Sequence, residues 1–442
     1  MSFETPPPIP AEAFERRRGA VLERLGGDVM VLPASPVQHA SRDNERPYVP
    51  DRELYYLTGL TQPSSVAVLV GGDEKMLVMF VAERDDEAEL WAGPRLGPAD
   101  VEALVDGAEC HPLSELDSRL PALLSRAKAI HYRLGRRDAL ERLVIEALER
   151  ARARGQRTGS GPRALVDPGE ILDDLRLVKD EHEIRILREA CRVTVEGHRA
   201  GAGAIRGGVG EWMVEAAIEG AFRAAKAGGP GFDTIVGSGA NSCVLHYVDN
   251  GATVPEQALV LVDAGAEVAL YNGDVTRTYP ATGRFDARQL EVYAIVEEAL
   301  RSGVQAVRPG SAIDAVHEAV IRTLTHGLED LGILEGDLDG LIEQSAYKPF
   351  YPHQTSHWLG LDVHDPGDYA RNGEPRRLEP GMVFTVEPGL YFRPGTERGR
   401  ADDFVGIGVR LEDDVVVTEA GCEVLTAGLP TSPGEVEALV AP

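Results

Sequence analysis

Short apolar runs and helical stretches alternate over the first third of this chain. Residues 11–26 carry a helical pattern, with Arg16, Arg17 and Arg18 on its polar face. Compact apolar runs follow at Val29–Leu32, Tyr55–Gly59, Ser65–Val70 and Met76–Val81, with Gly-rich turns between them, and read as strands. Asp138–Arg154 returns to helical periodicity with dense charge. The stretch 154–168 is rich in Gly, Arg and Pro and breaks the pattern. The predicted domain boundary falls there, giving an N-terminal α/β domain over 1–170 and a second domain over 171–442.

The second domain opens on Lys179-Asp-Glu-His-Glu-Ile, the start of a long amphipathic helix with Ile184, Leu187, Ala190 and Cys191 on its apolar face. Helices are predicted near 180–204, 210–227, 287–307 and 312–332. Strands are predicted near 234–237, 258–263, 268–271, 382–387, 407–412 and 414–417. Each half thus gives two helices, then strands that carry acidic residues, a distant twofold pattern in an α/β (α+β) chain.

Composition narrows the function classes. A chain of 442 residues exceeds one core and fits two domains. With 43% hydrophobic and 26% charged residues it reads as globular. A formal net charge of −27 repels nucleic acid and anionic membranes, so neither is an expected partner. Cys110, Cys191, Cys243 and Cys422 show no CxxC spacing and are expected as small buried hydrophobes in a reducing compartment. The start, Met1-Ser-Phe-Glu-Thr-Pro-Pro-Pro, lacks the features of a signal peptide and reads as a frayed tail. No run approaches the roughly 18 apolar residues of a membrane helix, so the expected location is cytoplasmic.

Candidate chemistry gathers in the last 180 or so residues. Asp263 ends the apolar run Ala258-Leu-Val-Leu-Val, and Asp274 lies eleven residues on. Ala264-Gly265 allow a turn, and Val268-Ala-Leu-Tyr are read as the start of the return strand. Two carboxylates side by side repel unless a cation intervenes. His353, His357 and His364 fall within twelve residues, in a chain with 11 histidines. One imidazole suits a metal and the others suit proton transfer; a purely hydrogen-bonded loop is the alternative. Glu387 and Glu412 each end an apolar strand. Arg410 shares Glu412's strand face, either orienting a ligand carboxylate or forming an ordinary buried Arg–Glu pair. Four carboxylates and one imidazole favour manganese or a related hard divalent ion. Five ligands exceed one tetrahedral centre and suit two cations ~3.5–4 Å apart that acidify a shared water. The glycine-rich stretches 201–208 and 228–239 match no phosphate loop. His317 and His326 are expected to face solvent, and His39, His111, His131, His182 and His198 carry no motif.

These residues stand in Thr234-Ile-Val-Gly-Ser-Gly-Ala-Asn, Leu245-His-Tyr, Asp274-Val-Thr-Arg-Thr, Ser356-His-Trp-Leu-Gly-Leu-Asp-Val-His-Asp, Glu387-Pro-Gly-Leu-Tyr and Arg410-Leu-Glu-Asp-Asp. In that order and spacing they resemble the proline-specific metallopeptidases of the pita-bread fold, in particular the aminopeptidase P group, over nearly the whole chain. The resemblance implies a creatinase-like N-terminal domain followed by a pita-bread catalytic domain. It implies removal of an N-terminal residue that precedes proline, by attack of a hydroxide bridging two metals, most often Mn2+, with Co2+ or Zn2+ as alternatives. Asp263 would bind one metal and His357 and Glu387 the other, with Asp274 and Glu412 bridging. Glu387 would take the proton of the attacking water, and Asp274 would lie near the substrate amine. His246 would bond substrate or the tetrahedral intermediate, His364 would contact the scissile carbonyl oxygen, and His353 would help form the proline pocket.

Asp43-Asn-Glu-Arg-Pro-Tyr, Tyr56-Leu-Thr-Gly and Glu89-Leu-Trp-Ala-Gly-Pro-Arg resemble the family's first domain. They imply a homodimer or homotetramer, with Trp91 reaching a neighbouring subunit's site (or simply packed in a core) and Asp43 paired with Arg410. One departure stands out: Phe232 occupies a place where the aminopeptidase P pattern usually has tyrosine. Three other readings remain: a prolidase-type dipeptidase on the same fold, a metal-free creatinase-like hydrolase, and a non-catalytic binding protein that has kept the fold.

Overall fold

Asp51 and Gly59 decide the fate of the aromatic run between them. The Asp51 carboxylate caps a helix by accepting from the Leu54 amide at 2.9 Å, and Gly59 ends it with φ +73°. Residues Arg52–Thr58 are therefore a helix rather than the strand that the β-favouring Tyr55 and Tyr56 suggest.

The computed structural model describes residues 9–125, 127–135, 138–159, 161–395 and 399–440; the proline-rich start at 1–8 lies outside the described residues. Two compact units are present, one running to Leu175 and the other beginning at Arg176.

The N-terminal unit holds one six-stranded sheet. Its spatial order is Ala108–Pro112, Met76–Val81, Ser65–Val70, Val29–Pro33, Ala129–His131 and Ala164–Val166. The three middle strands pair antiparallel and the outer ones join in parallel. Val29, Val31, Val66, Val68, Val78 and Phe80 pack with Leu120, Leu124 and Val144 of the covering helices. The first helix, Ala11–Leu25, departs from its expected polar face: Arg16 is exposed, whereas Arg17 and Arg18 are buried. Arg18 donates to the Leu57 and Asp106 carbonyls, each at 2.9 Å, and Arg17 lies 4.4 Å over the Tyr56 ring. Those open carbonyls and that ring are distant in sequence, so charge patterning alone could not place the two arginines inside.

The second unit has two halves of similar build. Helices Glu181–Ala204 and Glu211–Ala224 accompany the three-stranded sheet Val275–Pro280, Leu259–Ala264, Ile235–Ser238. Helices Ala287–Ala306 and Asp314–Asp330 accompany Val383–Val386, Asp413–Val417, Cys422–Val424. The long helix starts at a capping box: Asp180 accepts from the His182 and Glu183 amides, and Glu183 accepts back from the Asp180 amide at 3.0 Å. Residues 268–271 are not the return strand. They close a small hairpin, Ala266–Val268 with Tyr271–Asn272, turning through Ala269 and Leu270 at positive φ. The strand that returns against Leu259–Ala264 is Val275–Pro280. Gly265 is thus not the turn; it permits close approach, since a Cβ there would lie 1.7 Å from the Gly273 carbonyl oxygen.

All four cysteines are free; Cys191 and Cys243 are buried as expected, but Cys110 and Cys422 are only half-buried. No helix among the described residues is long and apolar enough to cross a membrane.

Candidate metal centre

Backbone pairing delivers each of the five predicted ligands to one cavity. In the hairpin, Thr276 stands opposite Asp263, and Asp274 follows just past the last pair, Val275 with Ala264. The Asp274 amide donates to Asp414 Oδ2 at 2.9 Å. Glu412 is drawn to the same hairpin: its amide donates to the Thr276 carbonyl at 3.0 Å and its Oε2 accepts from Thr276 Oγ1 at 2.7 Å. Arg277, fully buried, ties the strands together by donating to the Glu412 carbonyl at 2.6 Å and to Asp413 Oδ1 at 2.7 Å. Glu387 follows strand Val383–Val386, its amide on the Thr355 carbonyl at 2.8 Å. His357 is set by Thr385, whose amide donates to its carbonyl at 3.0 Å. Its Nδ1 is 3.1 Å from the Trp358 carbonyl oxygen. A carbonyl only accepts, so Nδ1 carries the hydrogen and Nε2 presents a lone pair.

Nε2 of His357 lies 3.3 Å from Asp274 Oδ2 and 3.9 Å from Glu387 Oε1. Ligand atoms of Asp274, His357 and Glu412 all fall within 4.8 Å of one another. Asp263 is held differently: Oδ2 accepts from Arg410 at 2.5 Å, while Oδ1 is buried with no partner. All five line a cavity of about 660 Å³, together with His246, His353, His364 and Arg410.

The electrostatics of this cluster are unfavourable as it stands. Burial, then the charges of Asp263, Asp414 and Glu387, push the Asp274 carboxyl well above its usual range. Burial, then Asp274, does the same for Glu412. Burial raises Glu387 and Asp414 each to about 7. Arg410 offsets only part of the repulsion. The orphaned Asp263 Oδ1, the His357 Nε2 turned toward Asp274 and Glu387, and the crowded carboxylates are what a site for divalent cations requires, so these residues fit such a group.

Several expected neighbours behave differently. Arg410 does not form an Arg–Glu pair with Glu412: its guanidinium meets Asp263, Thr276 Oγ1 at 3.0 Å and the Tyr391 hydroxyl at 3.2 Å. Thr276 links it to Glu412. His353 places Nδ1 2.7 Å from the Gln354 carbonyl oxygen, so its Nε2 accepts from the Tyr391 hydroxyl at 2.9 Å. Burial lowers His353 to about 3, which favours its neutral form. His364 is also shifted down by burial and then by His357, whose ring centroid is 4.3 Å away. Asp365, the next residue, is buried between Arg176 at 2.6 Å and Lys179 at 3.0 Å, which pins this histidine loop. His317 does not face solvent: its Nδ1 lies 2.7 Å from Thr355 Oγ1. Phe232 lines the cavity. In the N-terminal unit, Asp43 is exposed and Trp91 is 85% exposed, which rules out core packing for Trp91 within this unit.

Thr276, Tyr391, Asp414 and His198 were not singled out by sequence. His198 had a signal: it follows Thr194 by four and Cys191 by seven, on the apolar face of the long helix. It is fully buried, its Nε2 is 2.9 Å from the Val275 carbonyl oxygen, and burial lowers it to about 3.

Paired halves of helices and strands closing on carboxylates and one imidazole define a pita-bread metallopeptidase. The chain belongs to metallopeptidase family M24, whose model matches residues 185–419, and the aminopeptidase P N-terminal domain matches residues 14–131. The chain is 39% identical to the Xaa-Pro aminopeptidase of Escherichia coli (strain K12), over 98% of each chain. A structure of zinc-substituted E. coli aminopeptidase P in complex with product superposes with a TM-score of 0.93 at 39% identity, covering 98% of this chain and 99% of that one. The aminopeptidase PepP of Pseudomonas aeruginosa gives a TM-score of 0.92 at 40% identity, covering 98% of each chain.

Proposed function

We propose that the chain removes the N-terminal residue from peptides whose second residue is proline, as an Xaa-Pro aminopeptidase. The observation that carries this is the convergence of Asp263, Asp274, His357, Glu387 and Glu412 on one cavity of a chain with such relatives. Asp263, Asp274, His357, Glu387 and Glu412 would hold two divalent cations. When bound, these supply a water acidified to near neutral pH as nucleophile. Manganese suits the oxygen-rich set best.

Glu387, at the wall of the same cavity, would receive a proton from that water. Asp274 would meet the substrate amine. His246 and His364 would face the reacting carbonyl, and His353, braced by the Tyr391 hydroxyl, would help form the proline pocket. Arg410 orients Asp263 directly and Glu412 through Thr276. An Xaa-Pro bond has no amide hydrogen, so shape and metal activation replace backbone N–H recognition.

Peptides are the expected partners, in the cytoplasm, for a homodimer or homotetramer. The exposed Leu90 and Trp91 of helix Asp86–Ala92 fit a contact with another copy. Hydrolysis of a tripeptide Xaa-Pro-Xaa tests the reading. Release of the first residue supports it; cleavage of Xaa-Pro dipeptides alone would establish a prolidase-type enzyme instead.

A further inference from the structure

Glu211 is 0% exposed at the first turn of helix Glu211–Ala224, and no cation pairs with its carboxylate among the described residues. A buried carboxylate without a counter-ion is costly unless hydrogen bonds replace its water. Here five do. Oε1 accepts from the Ser238 amide at 2.8 Å, Ser238 Oγ at 2.7 Å and Asn241 Nδ2 at 3.2 Å. Oε2 accepts from the Tyr247 hydroxyl and the Ala252 amide, both at 2.9 Å. The helix N-terminus adds partial positive charge.

All five donors come from one segment, 238–252. It leaves the end of strand Ile235–Ser238 and passes Leu245, His246 and Val248 on the cavity wall. It returns to the same helix, where the Glu211 amide donates to the Ala252 carbonyl at 2.9 Å. Glu211 therefore grips the segment at both ends and, through Tyr247, in its middle. Tyr247 directly follows His246, so fixing its hydroxyl fixes the backbone that carries the imidazole. Asn250 reinforces the hold: its Oδ1 accepts from the Val236 amide and its Nδ2 donates to the Thr234 carbonyl, both at 2.8 Å.

We propose that Glu211 is a positioning residue that acts through Tyr247 to hold His246 toward the reacting carbonyl. The proposal rests on the role given to His246 above. It differs from a general structural role because its effect must vanish when the imidazole is removed.

The test is a kinetic cycle on manganese-loaded enzyme with an Xaa-Pro-Xaa peptide. Tyr247→Phe is expected to lower kcat roughly 10-fold with KM and manganese content nearly unchanged, because misplacing one reacting group by a fraction of an ångström costs that order. In a His246→Ala background the same substitution should change kcat less than about twofold, since coupled groups are not additive. Glu211→Gln should follow the same pattern more strongly; if it fails to fold, Tyr247→Phe carries the test. An equal loss in both backgrounds, or no loss in either, overturns the positioning role while leaving the assigned reaction intact. Full kcat in His246→Ala overturns the role of His246 and this proposal together. Where His246→Ala turns over too slowly to measure, the ring resonance that this variant lacks reports instead in diamagnetic zinc-loaded protein: broadening or splitting in Tyr247→Phe relative to the parent supports the proposal, and a sharp, unmoved signal overturns it.

Discussion

Asp274 and Glu412 have their backbones fixed by other groups, Asp274 by Asp414 and Glu412 by Thr276. Neutralising either side chain should therefore spare the fold and remove the chemistry. Asp274→Asn and Glu412→Gln are each expected to cut kcat/KM by at least about a thousand-fold, with an unchanged circular dichroism spectrum. Full activity in either would refute the ligand assignment. Proton traffic gives a second check. Burial holds Glu387 at about 7 in the metal-free protein, so binding a dication must expel its proton. Calorimetric titration of manganese at pH 6.5 in buffers of different ionisation heat should show proton release, and manganese affinity should weaken as pH falls below about 7. At this scale three of the candidate carboxylates were legible because Asp263, Glu387 and Glu412 each close an apolar run, whereas Asp274 follows Asn272-Gly273. Arg410's partner was not. Two-residue spacing reports a shared strand face, but Asp263 arrives from 147 residues away. Thr276 and Tyr391, being neutral, left no charge signal.

At the scale of elements, strand and helix patterns were readable where one period persisted, as in Leu259–Ala264 and Glu181–Ala204. They misled where capping outweighed β propensity, at Arg52–Thr58, and where a small hairpin was inserted before the true return strand. His198 locks the paired strands Leu259–Ala264 and Val275–Pro280 to the long helix, with Nε2 near both the Ala264 and Val275 carbonyls. Its folded pKa, lowered by burial to about 3, lies below that of the unfolded chain. The unfolded state thus takes up the proton first, and stability falls as pH drops from about 6.5 toward 3, by about 1.4 kcal/mol per unit. His198→Gln should be less stable than the parent at pH 7. Its urea midpoint should also change less between pH 6.5 and 5 than the parent's. Parallel pH profiles would show that His198 does not contribute this slope.

For the whole molecule, the break in composition predicts a boundary at 170/171 and the compact units divide at Leu175 and Arg176, while the pita-bread expectation follows from a family pattern rather than from periodicity. The peptide-cleaving account stands on scattered residues that only the closed fold unites. Its most direct test is activity against bound metal. Chelated protein should not cleave an Xaa-Pro-Xaa peptide, and titration with manganese should restore release of the first residue as the bound ratio rises to two ions per chain. Undiminished cleavage after complete metal removal, or two tightly bound ions with no proline-peptide cleavage, would contradict it.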